Sequence, residues 1–107
     1  AAGLPDGNYK LGVNDVVVRD GDAVLASNGV RAGSTLTLAQ ALRNIVAFTD
    51  HPLQDVIPLM TANPAKALRM DDRKGSIEVG KDADMVLLDD ALNVVTTVGL
   101  GRVIYTA

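Results

Sequence analysis

At 107 residues the chain has room for at most one small domain, and 48% hydrophobic residues exclude a disordered tail. The net charge of −3, with ten scattered basic residues, argues against a nucleic-acid surface, and one Phe, two Tyr and no Trp leave no stacking platform and require an aliphatic core. Zero cysteines exclude disulfides, zinc ribbons and thiol nucleophiles, and no apolar run reaches the length of a membrane span.

The opening AAGLPDG lacks an initiator Met and is loop-like, so the chain reads as a piece of a longer one. From Tyr9 to Gly29 the residues have strand chemistry. Val16, Val17 and Val18 run into Asp20-Gly21, a hairpin-type pair, and Ala23-Val24-Leu25 leads away to a second turn at Asn28-Gly29. The period then changes: Leu38, Ala41, Leu42, Ile45 and Val46 recur at helical spacing, and Thr37 with Gln40 forms a capping-box pattern at the helix start. Pro52 suits a first helical turn. A short helix is expected through Pro58, and another is expected to begin at Pro64 behind an Asn63 cap. Strands are expected at Ile77–Val79, Met85–Leu88, Val94–Val98 and Arg102–Tyr105. GSIEVGKDADMVLLD (75–89) then reads as a hairpin turning at Gly80-Lys81.

Chemistry is sparse. His51 is the single histidine, and a metal site needs three or four converging ligands. The carboxylates Asp71-Asp72, Asp82/Asp84 and Asp89-Asp90 sit in turn-like sequence and read as solvated. There is no GxSxG elbow, phosphate loop or dinucleotide fingerprint. RAGST, before the capped helix, is the one stretch with site character, because its small residues let backbone amides approach a ligand and a helix N-terminus favours an anion. By composition and spacing, the chain has no active site of its own.

Two stretches carry a family resemblance. NPAKALRM, GSIEVGKDADMVLLD and VVTTVGLGRVIY resemble the C-terminal end of the amidohydrolase superfamily, where an Asn-Pro-Ala helix precedes a G-x-I-x-x-G-x-x-A-D-x-V-x-x-D hairpin. Upstream, AAGLPDGNYKLG and VVVRDGDAVLASNGVRAGSTLTLAQALRNIV are similar to the N-acetylglucosamine-6-phosphate deacetylase family. The resemblance spans essentially the whole chain but only the last third or so of such an enzyme.

The resemblance implies a mixed α/β fold: a C-terminal fragment of an amidohydrolase, with barrel-associated helices flanked by antiparallel β-hairpins of a small β-sandwich. Residues 1–74 would be the end of the hydrolase barrel with a β insertion and helices, and 75–107 part of the sandwich. The implied reaction is deacetylation of an amino-sugar phosphate in the cytoplasm, with water activated by a divalent metal, zinc or iron, and an aspartate as general base. The metal ligands and that aspartate have no counterpart here, so no catalytic residue and no metal is expected in this chain. The family's substrate-contacting loop falls on Arg31, Ala32 and Gly33, and because Arg31 stands where Leu is commoner, the implied contact is through backbone. Asp84 and Asp89 are expected to be architectural. Leu100-Gly101 replaces the usual Asn-Gly turn.

Two other readings remain open: another amidohydrolase, dihydroorotase- or D-aminoacylase-like, and a non-catalytic β-rich module. On the deacetylase reading, Leu38, Leu42, Ile45 and Val46 form a helical stripe with too little chain to cover it, so a homo-oligomer is expected, with no nucleic-acid or membrane partner.

Overall fold

The structure, a computed structural model, describes residues 1–107. It consists of two compact units, Ala1–Thr37 and Leu38–Ala107.

The first unit is a three-stranded antiparallel sheet, β1 (Gly7–Leu11), β2 (Asn14–Arg19) and β3 (Asp22–Leu25), in the order β1-β2-β3. The turn between β2 and β3 is the expected Asp20-Gly21 pair, both at positive φ (50° and 78°), and Arg19 pairs with Asp22 across it. That left-handed turn matches the natural twist of the two strands. Val16, Val18 and Ala23 form the buried core, with Tyr9, Leu25 and Ala32 packed on it. β2 is the central strand, paired on both sides, and Val16 and Val18 alternate onto its buried face. Asn28-Gly29 closes the second turn, where the Leu25 amide donates to the Val30 carbonyl at 2.8 Å.

The second unit opens with α1 (Leu38–Phe48), as the period predicts. The chain then forms α2 (Leu53–Val56), a 3-10 turn (Ile57–Met60) and α3 (Ala62–Ala67). Pro58 sits at the start of the 3-10 turn, where its missing N–H removes no helical bond. The expected start of α3 at Pro64 is corrected. The helix begins at Ala62 with Thr61 at the cap, and the Ala65 amide donates to the Thr61 carbonyl at 3.1 Å. Pro64 is tolerated because amides of a first turn have no intrahelical acceptor. α3 ends in a Schellman motif: Met70 N–H donates to the Ala65 carbonyl at 2.8 Å and Arg69 N–H to the Lys66 carbonyl at 3.0 Å. Arg69 takes the left-handed position that usually holds Gly (φ 55°).

The sheet that follows has three strands, β4 (Met85–Leu88), β5 (Val94–Gly99) and β6 (Arg102–Thr106), in the order β4-β5-β6. Leu100 and Gly101 make the two-residue turn between β5 and β6, at φ 49° and 77°. The expected strand Ile77–Val79 is absent, so 75–89 is not a hairpin. Its backbone is spent on local closure instead: Asp82 N–H donates to the Arg73 carbonyl at 2.9 Å and Lys81 N–H to the Glu78 carbonyl at 3.2 Å. Ile77 and Val79 are 83% and 107% exposed.

The expected uncovered stripe on α1 is also corrected. Leu42 is buried, and Ile45 and Val46 are half-buried, leaving Leu38 exposed.

One glycine holds the helices against the loop that follows. Gly75 lies at φ 91°, and a Cβ there would come within 2.7 Å of Ala65 Cβ and 3.1 Å of Ala62 Cα. The small Ala65 of Asn-Pro-Ala and the first glycine of the 75–89 motif are therefore two sides of one close approach. Gly75→Ala adds both backbone strain and overpacking and is expected to lower stability by about 2–4 kcal/mol. Gly80→Ala is the control: φ is 93° but no atom lies within 4 Å of the added carbon, so only the strain of about 1–2 kcal/mol remains. Urea unfolding of the two variants side by side checks the difference.

Candidate functional site

The loop after β3 is held by the β2–β3 turn. Arg31 forms an antiparallel bridge with Val24, and the Ala32 amide donates to the Ala23 carbonyl at 2.7 Å. The Arg31 guanidinium meets the Asp22 carboxylate in a fork, Nε to Oδ1 at 3.1 Å and Nη2 to Oδ2 at 3.3 Å. Thr35 Oγ1 donates to the Gly21 carbonyl at 2.5 Å, and Ser34 Oγ accepts the Leu36 amide at 3.1 Å.

Arg31, Ala32 and Gly33 thus have three different environments. The Arg31 side chain is exposed but engaged with Asp22, and Ala32 is half-buried on the sheet core. Gly33 is at φ 112°, a conformation that L side chains rarely adopt, and a Cβ there would meet no atom within 4 Å. What the loop offers a ligand is bare, approachable backbone at Gly33.

Among the carboxylates that read as solvated, Asp82, Asp84 and Asp89 are structural instead. Asp82 Oδ2 accepts from Arg73 Nη2 at 2.8 Å and Lys74 Nζ at 3.0 Å. Asp84 Oδ2 pairs with Lys74 Nζ, while Asp84 Oδ1 accepts the Leu100 amide at 2.7 Å. The hydrogen bond from Arg73 and then that from Lys74 hold Asp82 below the usual carboxylate range, and Lys74 followed by the Leu100 amide does the same for Asp84. The same contacts, Asp84 first, raise Lys74. Asp89 accepts the Asn93 amide at 2.8 Å and the Ala91 amide at 2.9 Å, shaping the β4–β5 turn and lowering its own pKa. The architectural expectation for Asp84 and Asp89 matches this geometry.

These residues do not fit a catalytic metal. His51 is exposed between α1 and α2, and no group of three or more His, Asp or Glu side chains converges to hold an ion. An apolar recess of about 910 Å³ in the second unit is lined by Leu42, Ile57, Met60, Met70, Leu88 and Ile104 among others. Its charged members, Lys74 and Asp84, neutralise each other. No helix is long and apolar enough to cross a membrane.

The sequence of residues 5–104 matches the model of the amidohydrolase family. The chain belongs to that family. It is 39% identical over 105 residues to the N-acetylglucosamine-6-phosphate deacetylase of Bacillus subtilis (strain 168), covering 98% of this chain and 26% of the relative. A crystal structure of N-acetylglucosamine-6-phosphate deacetylase from Thermotoga maritima matches 99% of this chain and 29% of its own at a TM-score of 0.85 and 40% identity. The Mycobacterium smegmatis enzyme, solved as a mutant in complex with N-acetyl-D-glucosamine-6-phosphate, matches at 0.82 and 36%, covering 98% of this chain and 28% of its own. The chain therefore spans about a quarter of the length of the relatives it matches. Mixed α/β structure with two small antiparallel sheets is common ground between this amidohydrolase chain and the solved deacetylases.

Asp22 and Thr35, which tie the loop down, were not legible in the sequence. They reach partners nine and fourteen residues away. The one available signal was Asp20-Gly21, which brings Asp22 back alongside the descending strand.

The ion cluster sets an acid limit on this amidohydrolase chain. Asp82 and Asp84 are depressed in the fold, so their contribution is fully present above the ordinary carboxylate pKa. It is lost as pH falls through their lowered values. Lys74→Met removes the shared cation and should flatten the fall in thermal midpoint below about pH 4. Thermal melts of both proteins from neutral to acid pH test this. An equally steep decline in the variant would assign the acid loss to other groups.

Proposed function

We propose that this chain is the substrate-loop and C-terminal portion of an N-acetylglucosamine-6-phosphate deacetylase. The reaction converts N-acetylglucosamine 6-phosphate to glucosamine 6-phosphate and acetate in amino-sugar catabolism. The observation that carries the reading is the reach of the likeness: it covers 98% of the chain in the Bacillus relative and 99% in the Thermotoga structure, loop and strands together.

Arg31, Ala32 and Gly33 are the proposed substrate contact. A solved relative holds the sugar phosphate, and Gly33 leaves backbone open to approach. Arg31 is already paired with Asp22, which favours contact through main chain over contact through guanidinium. Residues 1–74 are assigned to the end of a hydrolase barrel and 75–107 to a β-sandwich in the intact enzyme. Exposure of Leu38 and Phe48 on α1, and of every residue of β6, supports coverage by further chain. A divalent metal, zinc or iron, and the aspartate base are assigned to segments outside these residues, because the side chains here do not converge on an ion. Cytoplasmic location and homo-oligomeric assembly belong to the same proposal.

Two measurements test it. The purified 107-residue chain is expected to bind no stoichiometric zinc or iron and to release no glucosamine 6-phosphate, whereas the intact enzyme does both. Turnover by the chain alone would overturn the division of roles. In the intact enzyme, Gly33→Val is expected to lower kcat/KM roughly 10- to 100-fold, the scale of a misplaced substrate. Unchanged kinetics would remove this loop from the site.

A further inference from the structure

We propose that the β2–β3 turn is a positioning element for the Arg31–Gly33 loop, with Thr35 and Asp22 as its positioning residues. The inference rests on the reading of that loop as the substrate contact.

The ties are arranged on both sides of Gly33. Ahead of it, Arg31 is forked to Asp22 and bridged to Val24, and the Ala32 amide is bonded to Ala23. Behind it, the Thr35 hydroxyl donates across fourteen residues to the Gly21 carbonyl. Only Gly33 and Ser34 lie between tied positions. A two-residue span anchored at both ends samples few conformations, so the backbone at Gly33 is set before a ligand arrives. Both anchors belong to one rigid object: Gly21 and Asp22 lie in or beside a two-residue turn whose strands pair in register. Thr35 is the stronger anchor. Thr35 itself is half-buried, though its bond is exposed, whereas Asp22 and Arg31 have side chains 54% and 74% exposed.

The test uses the intact enzyme with Thr35→Val, which deletes the hydroxyl and keeps the shape, and Thr35→Ser, which keeps the donor. Thr35→Val is expected to raise KM for N-acetylglucosamine 6-phosphate about three- to tenfold, with kcat within about twofold, and Thr35→Ser to restore KM. Asp22→Asn is expected to raise KM about two- to fivefold, the range of an exposed pair. Hydrogen exchange at the Gly33 and Ser34 amides should accelerate in Thr35→Val while amides of Tyr9 and Val17 do not change. Equal KM for Thr35→Val and the unsubstituted enzyme would overturn the inference, as would faster exchange at Tyr9 and Val17, which marks general loosening. Gly33→Val run alongside separates the two levels. If it impairs the enzyme while Thr35→Val does not, the positioning inference alone falls; if it changes nothing, the substrate-loop reading falls and takes this one with it.

Discussion

Asp84 uses its two oxygens to join three parts of the second unit. One accepts the Leu100 amide in the β5–β6 turn, and the other takes Lys74, which follows α3. Lys74 reaches on to Asp82, which Arg73 also grips, and the Gly101 amide donates to the Ala83 carbonyl at 2.9 Å. The loop from Arg73 to Asp84 is thereby closed at its base. The hairpin turn then keeps Leu100 at φ 49°, a conformation a bulky residue adopts only when its surroundings require it. Surface ion pairs contribute little singly, so the geometry matters here more than the charge. One carboxylate serves as acceptor for a backbone amide and an ammonium at once.

Close approach at Gly75 works with this junction. With Ala65 and Gly75 both small, the end of the helical run and the start of the loop come into contact, which brings Lys74 within reach of both aspartates. Arg43 adds a link from α1, donating to the Leu92 carbonyl at 3.1 Å in the β4–β5 turn. Each of these contacts satisfies a carbonyl, amide or charge that helix ends and tight turns would otherwise leave without a protein partner. The aliphatic core of the second unit is correspondingly small, with Leu42, Val56 and Ala65 as its buried members.

The first unit follows a different logic. Its sheet carries a loop whose backbone is left open by a glycine at Gly33. On the proposed reading, this piece would contribute to binding while other segments supply the metal, because binding and chemistry are separable roles on one fold. The charge of the loop's Arg31 is turned back onto Asp22.

The sequence by itself determined the elements whose signals are local. Asp20-Gly21 specified a left-handed hairpin turn, the Val16-Val17-Val18 run specified β2, and the spacing of Leu38, Leu42 and Ile45 specified α1. The family motifs also pointed to architectural roles for Asp84 and Asp89, and both carboxylates accept turn amides. Only the tertiary structure decided the rest, because it depended on partners far along the chain. Ile77–Val79 has the composition of a strand, yet a strand needs an edge to pair with, and here the Glu78 carbonyl accepts the Lys81 amide in a local turn instead. Leu42 looked uncovered from its spacing, yet the fold of the second unit buries it to 5% exposure. Thr35 and Asp22 acquired meaning only when the β2–β3 turn brought Gly21 and Asp22 alongside a loop nine to fourteen residues downstream, since a hydrogen bond of that reach leaves no periodic trace in the sequence.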